Sequence, residues 1–307
     1  MIVRPRPSLL KLFFITQGSI VPRIVPQILI VGLLSVAVVL CHQMWPKILP
    51  SYAGAPFALL GIAISVFLNF RNSACYDRWW EARRHWGELI LFSRNLGRQT
   101  LVLDEAPRRR LLTLGCAFAH ALVVHLRPGQ EGGGAREDET VLKFLTSDQA
   151  ARWRDNRFPP DSLTRAMGEE LAALRRSGTL SDILFQTIDR TLGDMTMVQT
   201  ACERIRSTPV PFGYTLLLHR TAYLFCFLLP FGFADTLGWA TPVATMLVAY
   251  TFFGLDALGD ELEEPFGLRA NTLPLAALAK TIELVLREAM GERDLPKLPE
   301  PVNNVLN

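Results

Sequence analysis

Half of the 307 residues are hydrophobic, 20% are charged and the mean hydropathy is +0.22, which is unusually apolar for a chain that folds around one soluble core. A net charge of +3 is too small to imply nucleic acid as a partner, and there is no long basic run, zinc-finger spacing or aromatic-basic RNA motif. The five cysteines, Cys41, Cys75, Cys116, Cys202 and Cys226, are scattered and include no C-x-x-C pair, so neither a disulfide framework nor a zinc site is expected, only buried thiols.

Residues 1–23 carry Arg4, Arg6, Lys11 and Arg23 around the apolar run LLKLFF. The uncharged stretch Ile24 to Cys41 that follows is longer than a signal-peptide core and has no small-residue cleavage site after it, so it reads as a first membrane span. His42 to Ser51 holds Trp45, Pro46, Lys47 and Pro50 and reads as a short turn. Tyr52 to Phe70 is again uncharged, and at about 1.5 Å per helical residue it approaches the thickness of a bilayer's hydrocarbon core. From Arg71 the composition switches to Asp77, Arg78, Glu81, Arg83, Arg84 and Glu88 with no proline between, so one helix is expected to run from lipid into the cytosol. The arginines at both ends of this two-span unit place the N-terminus and the Arg71 side in the cytoplasm, with Trp45 and Tyr52 at the outer interface. Ile62, Val66 and Phe70 recur at four-residue spacing, with Ser65, Asn69 and Ser73 beside them. Such a stripe faces lipid or a neighbouring helix, or it narrows a pore.

Tyr76 to Thr100 has charges at helical offsets (Glu81 with Arg84, Arg84 with Glu88), and Trp79, Trp80 and Trp86 read as packing anchors. A second helix, Arg108 to Arg127, sets Leu112, Cys116, Ala119 and Val123 on one face. Its opening arginines, Arg108, Arg109 and Arg110, oppose the helix dipole and are solvated or met by an acidic neighbour. His120 and His125 are five apart and point to different faces, so no metal motif arises. The glycine-rich run Pro128 to Asp138 reads as a loop, since neither a preceding strand nor a following GK[ST] makes it a phosphate cradle. Pro159-Pro160 leads into a helix capped by Asp161 or Ser162 and ended by Ser177-Gly178. Leu180 to Arg206 is the last cytosolic helix, with Ser181 or Asp182 at its start.

Pro209 to Ala234 reads as a third span whose single formal charge is Arg220, preceded by His219; that arginine either snorkels to the interface or touches an ion path. Pro230, Gly232 and Asp235 mark an outer turn, and Thr236 to Leu255 supplies a fourth span. The acidic patch that follows, Asp256, Asp260, Glu261, Glu263 and Glu264, is either a cation site or a salt-bridged helix end. Pro274 starts a final helix ending near Gly291, and the tail is extended. The chain divides into an arm with two spans (1–75), a cytosolic helical domain (76–208), two further spans (209–257) and a cytosolic C-terminal helix and tail (258–307).

No nucleophile elbow, zincin motif, nucleotide fingerprint or kinase signature is present, which argues against an enzyme. An ion channel, a transporter or a membrane-anchored scaffold with a partner-binding helical domain stay open on composition. Matching half-chains or broken helices, the marks of a secondary transporter, are not visible.

Three stretches resemble the bestrophin family and follow its order: GIAISVFLNFRNSACYDRWWEARRHWG, then ACERIRSTPVPFGYTLLLHRTAYLFCFLLPFG at Ala201 to Gly232, then LGDELEEPFG at Leu258 to Gly267. The resemblance implies an all-α membrane protein with four transmembrane helices continuous with a helical cytosolic domain, assembled as a homopentameric channel in the bacterial inner membrane with both termini cytoplasmic. Its implied partners are its own copies, membrane lipid and permeating monovalent ions, without cofactor or protein-bound metal. Ile62, Val66 and Phe70 would form the pore neck. Ile183 in LSDILFQ would form a cytosolic aperture, with Leu180 the second choice. Asp260, Glu261, Glu263 and Glu264 keep the status of a possible cation-binding patch. Animal bestrophins carry an acidic calcium clasp after the motif that here reads EPFG; this chain has Leu268, Arg269, Ala270 and Asn271 there. Neither calcium control nor anion selectivity carries over, so selectivity is open between chloride and small cations.

Overall fold

The computed structural model describes residues 1–5, 7–12, 14–45, 54–127 and 138–306. Of the expected turn His42 to Ser51, the first residues belong to a helix that runs to Met44, and residues 46–51, Tyr52 and the glycine-rich run at 128–137 lie outside the described residues. In chain order the helices are α1 (Leu9–Leu12), α2 (Val21–Met44), α3 (Gly54–Gln99), α4 (Glu105–Leu126), α5 (Glu139–Leu142), α6 (Ser147–Asp155), α7 (Pro159–Arg176), α8 (Asp182–Ser207), α9 (Phe212–Leu237), α10 (Thr241–Glu263) and α11 (Leu275–Ala289). Among the described residues, extended pairing is limited to isolated bridges at Ile2, Val302 and Val305.

The chain forms two compact units. One, the bundle, comprises residues 5–79 and 209–264; the other, the body, comprises 1–4, 80–208 and 265–307. The helix α3 supplies residues to both. It runs for 46 residues, about 70 Å at helical rise, because after Pro56 in its first turn no proline removes a backbone donor until Pro107.

In the bundle, α2, α9 and α10 pack on one another and take the apolar side of α3. Its core joins Ile24 and Val31, Ile64 and Leu68, Phe225 and Leu229, and Phe252 and Phe253. Tyr223 lies on Phe253 with ring centroids 4.4 Å apart, and the Ser35 and Thr245 hydroxyls meet at 2.6 Å across α2 and α10. The outer turn differs from the sequence expectation. The helix α9 passes through Pro230, Gly232 and Asp235, and the chain turns at Gly238, whose φ of +49° favours glycine. An internal proline costs α9 one backbone hydrogen bond without ending it, as membrane-type helices tolerate.

In the body, α4 is covered on every side by α5, α7, α8 and α11. Among the described residues four segments are apolar enough, by length and composition, to cross a membrane: α2, α3 with its 3-10 extension, α4, and the stretch spanning α9 and α10. For α4, 78% of the apolar window is buried inside the fold, against 33%, 17% and 39% for the others. A helix already covered all round has no face left for lipid, so α4 is a core helix. Its opening arginines are met: Arg110 by Glu170 at 2.5 Å, Arg109 by Glu292 at 3.6 Å, and Arg108 by the Ala289 carbonyl. The start of α7 also differs from expectation, since Phe158 rather than Asp161 or Ser162 precedes its first turn, with Pro159 and Pro160 as the first helical residues. Proline suits that position because the missing N–H would find no helical partner there.

The two ends of the chain pair within the body. Leu306 N donates to Met1 O at 2.8 Å, Val3 N donates to Asn304 O at 2.9 Å, and the Met1 ammonium donates to Leu306 O at 2.5 Å. A turn at Asn303 and Asn304, both at positive φ, makes the tail double back for this pairing.

Candidate functional site

Within the bundle, α3 is anchored along one narrow stripe. Ile64, Leu68, Arg71 and Cys75 are buried, and steps of four, three and four residues keep them on one face. Ile62, Val66 and Phe70 fall on the opposite face and are 62%, 47% and 60% exposed. Ser65, Asn69 and Ser73 are exposed beside them. An aliphatic or aromatic row that its own chain leaves bare, opposite a packed row, calls for an external environment.

Arg71 is the one charged member of the packed stripe and is fully buried. Its Nη1 donates to Asp256 Oδ1 at 2.9 Å, and Nη2 donates to Asp260 Oδ1 at 2.6 Å and lies 3.5 Å from Glu263 Oε2. The three carboxylates sit at i, i+4 and i+7 on α10, so one guanidinium reaches all of them. Arg23 of α2 also binds Asp260, and His219 Nδ1 of α9 lies 2.7 Å from Asp256 Oδ2. Gly259 gives Arg71 room to lie against α10, where a Cβ would come within 3.1 Å of Nη1 and 2.5 Å of Asn72 Oδ1. Arg78 Nε donates to the Glu263 carbonyl at 2.7 Å, placing a cation at the end of α10 where the helix dipole favours one.

The acidic patch therefore faces arginines: Asp260 and Glu263 are turned to Arg71, Glu261 is half-buried and engaged, and Glu264 is exposed. Among the described residues no group of three or more His, Cys, Asp or Glu is arranged to hold a metal ion. Arg220 is exposed on α9 within a row formed by Leu217, Leu224 and Leu228, themselves exposed.

In the body, Gly178 at φ +77° ends the α7 segment and the Ser181 hydroxyl accepts the Leu184 N–H to start α8. That geometry separates two residues only three apart: Leu180 is 2% exposed and Ile183 is 77% exposed. Asp182 beside Ile183 is held by Arg175 Nε at 2.6 Å.

A second charged centre, which sequence reasoning did not find, lies around Glu283 of α11. Its carboxylate, almost wholly buried, meets His120 Nε2 at 2.8 Å, Lys280 Nζ at 2.5 Å, Arg287 Nη1 at 3.3 Å and Lys143 Nζ at 3.5 Å. Burial alone would raise its pKa, but the hydrogen bonds from His120 and Lys280 and the charge of Lys143 hold it well below the usual carboxylate range. Burial pushes the Cys116 and Cys202 thiols up to about 12, which keeps them unreactive at neutral pH.

Residues 1–288 match the family model described as bacterial and fungal bestrophin protein. A voltage-dependent anion channel-forming protein of Mesorhizobium japonicum is 47% identical over 307 residues, covering 97% of this chain and 95% of the relative. The protein of the same description, YneE, from Escherichia coli K12 is 41% identical over 298 residues, covering 96% of each. The crystal structure of a bacterial bestrophin homologue from Klebsiella pneumoniae matches with a TM-score of 0.83 at 37% identity, covering 88% of this chain and 99% of that one.

Proposed function

The chain belongs to the bacterial and fungal bestrophin family, and from that premise we propose that it is an ion channel of the bacterial inner membrane, built as a homopentamer around a central pore. The relatives' description as channel-forming proteins supports the reading. The observation that carries it is the bare row of Ile62, Val66 and Phe70 opposite the packed row of Ile64, Leu68 and Arg71. Five copies of that row would form three apolar rings. An ion passing them gives up part of its hydration and receives no ligand in return, so ring width and wetting set the rate. Ion flux into liposomes, with Na⁺, K⁺ and Cl⁻ gradients applied separately, tests the proposal and reads selectivity. Flux from a particle of five subunits is the expected result; a monomer or dimer that conducts none of the three ions would contradict it.

Ile183 is proposed as the cytosolic aperture, because it is bare at the start of α8 while Leu180 is packed. Ile183→Thr is expected to change conductance or ion preference with assembly intact. Leu180→Ala removes core packing instead and is expected to destabilise the body by about 2–5 kcal/mol. Normal current in Ile183→Thr with altered selectivity in Leu180→Ala would shift the aperture by three residues.

Both termini are proposed to be cytoplasmic, with α2, the first part of α3, α9 and α10 as the four spans. An even number of spans returns the chain to the side where it began, and the pairing of Met1 with Leu306 requires one common side. Reporter fusions after Asn307 and within the run at Gly132 are expected to be active only in the cytoplasm. A periplasmic signal from either would overturn this topology.

A further inference from the structure

The charged cluster under the bare row has a composition that packing alone does not require. Arg71 could be fixed to α10 by one carboxylate, yet it faces Asp256, Asp260 and Glu263, and Asp256 carries His219 on its other oxygen. The groups facing one another are Arg23 from α2, Arg71, Cys75 and Arg78 from α3, His219 and Tyr223 from α9, and Asp256, Asp260 and Glu263 from α10. Asp256 and Asp260, one helical turn apart, share the Arg71 guanidinium, and a proton on His219 would add a cation at the other oxygen of Asp256. The His219 ring lies tilted against Tyr223 with centroids 4.3 Å apart and is partly exposed, so a proton can reach it.

We propose that Arg71 is the positioning residue of the constriction and that His219, through Asp256, makes its hold on α3 depend on the proton. The inference rests on the channel reading above. Arg71 follows Phe70 directly, and turning α3 by one residue, about 100°, would carry the guanidinium out of its carboxylates while moving Ile62, Val66 and Phe70 off their common face. As long as the ion pairs hold, the row keeps one orientation. While His219 is neutral, Asp256 and Asp260 repel each other across Arg71, which loosens that hold; a protonated His219 offsets the charge of Asp256 and tightens it. The constriction is therefore narrower in acid.

The test is flux of whichever ion the parent conducts, in liposomes, between pH 5.5 and pH 8, with native mass checked for each variant. Parent flux should rise about fivefold between the acid and the alkaline end of that range. His219→Gln should be high and flat with pH, and Asp256→Asn, which lacks the carboxylate that His219 binds, should be flat with pH as well. Arg71→Lys keeps the charge but cannot span Asp256 and Asp260 together; it should conduct more than the parent and retain part of the pH dependence. Parent flux independent of pH, or a His219→Gln profile that superimposes on the parent's, would overturn the proposal and leave the channel reading standing. A parent that conducts no ion at any pH would overturn both.

Discussion

Replacing Ile62, Val66 and Phe70 together by Ala is expected to raise flux through the assembled protein about tenfold and to relax its ion preference. The substitution strips apolar bulk from three proposed rings without adding charge, so the passage widens and wets more readily. A barrier lower by about 1.4 kcal/mol gives that tenfold change. Because the three side chains are exposed in the protomer and lie outside the buried core that joins Ile64, Leu68 and Phe225, that core stays intact and the variant should assemble. The opposite expectation follows if the row packs against a neighbouring helix: each truncation would then remove about 1–3 kcal/mol of burial, and assembly would fail or flux would fall. Flux and native mass together separate the two, since a pore predicts more current from the same particle.

Glu283→Ala is expected to be the most destabilising single change in the body. Truncation leaves His120, Lys280, Lys143 and Arg287 around a void with no anion. Removing one partner of a buried charge cluster costs about 3–5 kcal/mol, which for a unit of this size lowers the midpoint of thermal unfolding by about 10 °C. The folded carboxylate titrates below its unfolded value, so its contribution is fully present above the ordinary glutamate pKa of about 4.3 and fades only as pH falls toward the folded value. The gap between parent and variant should therefore be the same at pH 8 and pH 6 and shrink below about pH 4. Equal midpoints for the two proteins at pH 7 would show that the cluster is not the anchor described.

Much of this architecture was legible in the sequence because the signals were local. The unbroken run through Phe70 and Arg71 has no proline or glycine pair to end it, and α3 accordingly continues from the bundle into the body. The Ser177-Gly178 stop and the Ser181 start of α8 are likewise short-range backbone chemistry. The outer turn was misplaced because Pro230 and Gly232 look like breakers, while the turn belongs to Gly238, whose positive φ leaves no distinguishing mark in sequence. For α4 a single apolar face was read, yet helices from distant parts of the chain enclose it. Arg71 was read only as the end of an apolar span. The signal that would have found its role was the i, i+4, i+7 spacing of Asp256, Asp260 and Glu263 on a helix leaving an apolar segment. No comparable signal existed for Glu283 and His120, which lie 163 residues apart and meet only through the packing of α4 on α11.

Whether the row on α3 borders water is read most directly by thiol accessibility. In a Cys41→Ser background, since Cys41 is half-buried, Val66→Cys places one reactive thiol in the middle of the row, while Cys75, Cys116, Cys202 and Cys226 are buried and the thiols of Cys116 and Cys202 are held protonated. In planar bilayers a charged, water-soluble thiol reagent is expected to cut the current of Val66→Cys to a small fraction and to leave the parent unchanged. A Val66→Cys channel that carries the parent's current and keeps it after the reagent is added would contradict the account, since the row would then face lipid or protein rather than the ion path.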